Sequence, residues 1–185
     1  MASFLALFSS LLWGGADFFG GNLTKRYKAL AVPAPQKLAP HALAMTADVL
    51  EDAATGRFVL LHDPAGQLGW GGQWRCVTFA RAAIDAEMAS DPLLPNIGWA
   101  WLIEALKKNG CEFISPSGTV TRVESASFGD LKDREEDSEM EIRASWTPTS
   151  GENLLAHVNA WIELLGMTAG LEPIPEGVSS ISRNS

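Results

Sequence analysis

Between Pro40 and Trp99, three segments with the period and composition of β-strands succeed one another before any helical periodicity begins. That order excludes a doubly wound parallel fold, which needs a helix between successive strands. The first segment, HALAMTADV, alternates Leu43, Met45 and Ala47 with smaller or polar neighbours. A polar turn, DAATG, then leads into GRFVLLHD, so the two segments read as a hairpin. DPAGQLGWGG is dense in Gly and Pro and reads as a loop, while QWRCVTFARAAI is rich in β-formers and reads as the third strand.

The period then changes. SDPLLPNIGWAWLIEALKKNG places a turn before Trp99 and then predicts an amphipathic helix, with apolar residues at 99, 102, 103 and 106. Lys107 and Lys108 suit its carbonyl end, and Gly110 terminates it. SGTVTRVESASF and SEMEIRASWTP are two further alternating strands, separated by the charged loop GDLKDREED, and ENLLAHVNAWIELLG is a second helix ending at Gly166. The order β-β-β-α-β-β-α predicts an α+β domain, a mainly antiparallel five-stranded sheet with the helices on one face. Arg57, Thr78, Arg122, Glu124 and Arg143 are assigned to the opposite, partly solvated face.

Ala2 to Leu23 holds a single charge, Asp17, and is close to the roughly 20 residues that cross a bilayer. Each Phe or Leu there contributes about −0.3 to −0.6 kcal/mol to insertion, whereas Asp17 near mid-depth costs about 2.5 to 3.5 kcal/mol. Those contributions nearly cancel, which suits a helix packed against others better than a lone anchor. The positive cluster KRYK comes after the apolar run instead of preceding it, which argues against a secretory signal. For an inserted segment, the same cluster favours a cytoplasmic location for the rest of the chain. Pro33, Pro35 and Pro40 mark a boundary. The expected organisation is an apolar helix over residues 1–32, an α+β domain over 33–166 and a flexible tail over 167–185.

The formal charge is −8, and residues 29–185 hold 11 positive against 21 negative groups. With no basic stripe after Lys28, nucleic acid is not an expected partner, because that binding draws on Lys and Arg neutralising phosphates. Cys76 and Cys111 lie among apolar residues and read as buried free thiols in a cytosolic protein.

No catalytic constellation emerges, and neither a cofactor nor a metal site is expected: His41, His62 and His157 and the two cysteines lack ligand spacing. GWGGQW has no phosphate-loop spacing; it reads as a hairpin loop whose exposed-leaning Trp70 and Trp74 anchor an unknown protein partner. His62 beside Asp63 is the alternative, an acid/base or ligand-binding pair, although neighbours on a strand point to opposite faces and Asp63 before Pro64 suits a turn. Asp85 and Glu87 read as a solvated loop edge, and Trp99, Trp101 and Trp161 as packing residues. The expected function is therefore a non-enzymatic interaction module, adaptor- or chaperone-like; the alternatives are a small-ligand binder or enzyme at His62 and Asp63, or a membrane-tethered domain or transporter remnant.

Three resemblances bear on these readings. LALFSSLLWGGADFFGG is similar to the first transmembrane helix of EamA-type drug/metabolite transporters, over residues 1–32 only, which implies a transporter-like or fused front segment and a join near Val32. The order of elements is similar to the YbjN and type III secretion chaperone architecture. PAPQKLAPHALAMTADV, ATGRFVLLHDPAGQ, WRCVTFARA, MASDPLLPNIGWAWLIEAL, SGTVTRVESASFG and EIRASWTP together resemble the actinobacterial family known as domain of unknown function three thousand, over about residues 34–148. That resemblance implies a small cytosolic protein with no assigned activity.

Overall fold

The structure is a computed structural model and describes residues 27–33, 38–50, 53–132 and 137–171. Among these residues the fold is α+β, with one antiparallel sheet of six strands: β1 (Tyr27–Val32), β2 (His41–Val49), β3 (Ala54–Gln67), β4 (Gly72–Ile84), β5 (Phe113–Ser125) and β6 (Asp137–Pro148). The spatial order is β1-β2-β3-β4-β6-β5, so β1 and β5 form the edges. The helices are α1 (Ala86–Ser90), α2 (Leu94–Lys108) and α3 (Leu154–Thr168).

Local chemistry sets the helix ends. The Asp85 carboxylate accepts the Met88 N–H at 2.7 Å, so this residue, read as part of a solvated loop edge, caps α1. Pro95 occupies the first turn of α2, where a missing N–H costs nothing. At the other end Gly110 takes φ +67°, and the Cys111 N–H reaches back to the Leu106 carbonyl at 3.0 Å, closing the helix in a Schellman arrangement. Glu163 of α3 accepts from Lys108 at 2.5 Å and from Asn109 at 2.7 Å, locking the end of α2 to α3.

Both long helices lie on one face of the sheet. Leu43, Phe58, Cys76, Ala80, Met140, Ile142 and Trp146 from the strands meet Leu102, Leu106, Trp161, Leu164 and Leu165 in a single core. Phe58 sits between Trp146 and Trp161, with ring centroids 6.1 and 5.6 Å away.

Three expectations change. The sheet has six strands instead of five: Tyr27–Val32, read as the end of the apolar segment, pairs antiparallel with β2 from Tyr27↔Val49 to Val32↔Ala44. The rest of the expected front helix lies outside the described residues. The expected loop DPAGQLGWGG shrinks to a turn over 68–71, because β3 and β4 resume pairing at Gln67↔Gly72 after an irregularity that begins at His62. Third, Thr78 faces the core and is buried, donating to the Arg57 carbonyl. Arg122 pairs with buried Met140 and so lies on the helix side of β5. There it donates to the Ala89 and Asp91 carbonyls at 2.7 and 3.2 Å, and Glu124, two residues on, shares that side. Arg57 and Arg143 do occupy the other face, in one row with Phe79.

Candidate functional site

One end of the helix-covered face carries a cross-strand row of aromatic rings. Strand register sets His41 opposite His62 and His62 opposite Trp74. Their rings stack: His41 and His62 are 5.7 Å apart at 21°, His62 and Trp74 3.9 Å apart at 19°. Burial, then the neighbouring His41, lowers the His62 pKa below 6.5, and Asp63 opposes this weakly. Asp63 points the other way and closes its own turn, accepting from the Ala65 N–H at 3.0 Å and the Gln67 amide at 3.2 Å. His62 is thus brought together with Trp74, and not with Asp63.

Beside this row, Trp146 donates its indole N–H to His157 Nδ1 at 2.9 Å in the buried core. An indole nitrogen only donates, so Nδ1 must accept and the neutral ring carries its proton on Nε2. Burial lowers the His157 pKa from 6.5 to about 4, which keeps it neutral. The ring forms one wall of a cleft of about 180 Å³ shared with Gly110, Glu112, Ser150, Glu152 and Asn153. With its Nδ1 lone pair taken by Trp146 and its proton on Nε2, neutral His157 keeps no free ring lone pair to serve as a metal ligand or a general base. Among the described residues, no three metal-ligating side chains converge.

Among the described residues, α1, α2 and α3 leave the opposite face of the sheet uncovered. Ala39, Ala44, Val59 and Leu61 are buried there beneath Val32, Ala42, Trp70 and Val77. Arg143 lies over the ring of the adjacent Phe79, 5.3 Å from its centroid. Trp70 and Trp74, expected together on an exposed loop, are both half-buried and separate: Trp70 packs on this open face, Trp74 in the ring row of the other. The exposed apolar residue of the turn is Leu68.

Next to Trp70, Arg75 is only 9% exposed. Its Nη1 donates to the Ser115 carbonyl at 3.1 Å and Thr147 Oγ1 at 3.0 Å, its Nη2 to Ser117 Oγ at 3.1 Å and Ser145 Oγ at 2.7 Å. All four acceptors are neutral. Burial accordingly lowers the Arg75 pKa from its ordinary value. Reading by residue type misses both Arg75 and His157; the only signal in the chain is Ser145 and Thr147 alternating on one strand, which needs the register to acquire meaning.

Among known protein families, the model of the one described as "Protein of unknown function (DUF3000)" matches residues 21–179. No curated protein and no solved structure matches the chain. The family match extends beyond the stretch 34–148 on both sides and takes in β1. No helix among the described residues is long and apolar enough to cross a membrane.

Proposed function

The chain belongs to the DUF3000 family of proteins of unknown function, and from that premise we propose that it is a cytosolic, non-enzymatic protein-interaction module, adaptor- or chaperone-like. We place its fold with the YbjN and type III secretion chaperone architecture. The observation that carries the reading is the asymmetry of the sheet: α2 and α3 cover one face, and the other offers a half-buried apolar strip of Val32, Ala42, Val77 and Trp70 flanked by Phe79. A strip of that kind, bordered by Arg57, Arg75 and Arg143, suits a protein segment with apolar side chains better than it suits solvent.

A photo-crosslinking residue placed at Phe79, on the open face, should capture a discrete protein in cells. The same residue at exposed Leu155, on the helix side, should not. Equal capture from both positions, or none from Phe79, rejects the open face as the contact surface.

The cleft beside His157 supports a second reading, a small-ligand site, because this buried histidine and two carboxylate-bearing residues, Glu112 and Glu152, line it together. Stabilisation by a ligand that depends on His157, and not on His62, is the outcome that reading requires.

A further inference from the structure

Arg75 breaks a rule that proteins otherwise keep, that a buried charge is paired. The ion pairs among the described residues join Arg81 to Glu139, Lys108 to Glu163 and Arg143 to Glu141, and none involves Arg75. Counting protons locates what is left over. The four Nη protons go to Ser115, Thr147, Ser117 and Ser145, and the Thr147 hydroxyl in turn donates to the Trp70 carbonyl at 2.7 Å. Ser117 and Ser145 lie 3.4 Å apart, so at most one of their two hydroxyl protons is used between them. The Arg75 Nε–H has no acceptor among the described residues. The guanidinium charge therefore has no anionic partner among the described residues, and its Nε–H and one serine hydroxyl, at exposed Ser117 or half-buried Ser145, remain available to an outside acceptor on the open face.

We infer that Arg75, Ser117 and Ser145 form a binding site for a single carboxylate, carried by the protein segment that docks on the open sheet face. This rests on the reading of that face as a contact surface, and it specifies the partner's chemistry. A carboxylate fits in charge, since one positive charge is uncompensated and a phosphate dianion would leave an excess. It fits in valence, since it accepts from Nε–H and a serine hydroxyl together. The neighbouring Trp70 and Val77 supply apolar contact for the residue that bears it.

The test is a titration of the full chain with sodium acetate at constant ionic strength, reading the Arg75 Nε–H resonance. Acetate should move that resonance saturably and about tenfold more tightly than acetamide, which has the shape but not the charge. An Arg75 resonance that acetate leaves in place overturns the inference, and so does one that inorganic phosphate saturates while acetate does not. Arg75→Met should abolish an acetate-dependent rise in melting temperature; should that variant not fold, the wild-type titration still decides. The two readings fail separately. Acetate binding without a crosslink at Phe79 removes the protein-borne source, whereas a crosslink without acetate binding removes the carboxylate and leaves the contact face.

Discussion

His157 shows how little a residue type says before its neighbours are known. The sequence offers three histidines without ligand spacing, and nothing in it says that residue 157 meets residue 146 across a loop. The meeting fixes the proton on Nε2, and burial holds the pKa at about 4 against an ordinary 6.5. A folded-state pKa below the unfolded one means that the unfolded chain takes up the proton first as pH falls. The contribution to stability is therefore complete above pH 6.5 and is lost as pH falls towards 4, amounting to about 3 kcal/mol in all. Denaturant unfolding at pH 7.5 and 5.0 should show the wild-type protein losing about 2 kcal/mol more than His157→Gln, whose amide oxygen can still accept from Trp146. Equal losses in the two proteins would assign the acid sensitivity elsewhere. Asp63 is the contrasting case, since its turn-forming role is legible from the chain alone: Asp before Pro is a local signal, and its hydrogen bonds are local.

At the scale of elements, legibility depends on how much of the signal lies within the element. HALAMTADV is a strand over its full length, and the helix ending in KKNG ends where its lysines and Gly110 place the stop. β1 is invisible for the opposite reason. YKALAV closes an apolar run and carries no alternation strong enough to separate it, so only pairing with β2 makes it a strand. The β3–β4 hairpin reads short because Pro64 and Gly66 are loop residues by type. Here the irregularity between His62 and Gln67 absorbs them, with Gly66 at φ +73°. As an edge strand, β1 is held by one neighbour along the sheet, and Leu30 stays 67% exposed. Native-state hydrogen exchange should find its β2-bonded amides opening well below the global unfolding free energy, while amides of β3, β4 and β6 approach it. Protection in β1 equal to that in β4 would mean that something further covers this edge.

For the molecule as a whole, the succession of periods sets the class, but the phase of β4 does not set the faces. QWRCVTFARAAI is apolar on both sides, with Cys76, Ala80 and Ala82 inward and Val77 and Phe79 outward, so Thr78 cannot be placed without the sheet. That two-sidedness is also why one face can pack the described helices while the other buries a second apolar cluster around Val59 and Leu61. The covered side is a single core that joins strands β2, β3, β4 and β6 to α2 and α3, which predicts one cooperative unfolding transition. Cys76 lies at its centre with no exposed surface, and burial raises its thiol pKa well above the ordinary value. Cys111 sits at the rim after α2, its pKa raised to about 11. Thiolate is what reacts, so each thiol must first reach water. Labelling under native conditions should modify Cys111 through local opening of the α2 terminus, and Cys76 with the free energy and denaturant dependence of global unfolding. Cys76 labelling as readily as Cys111 would mean that the sheet and helices separate before the sheet itself unfolds, and the one-core description would fail.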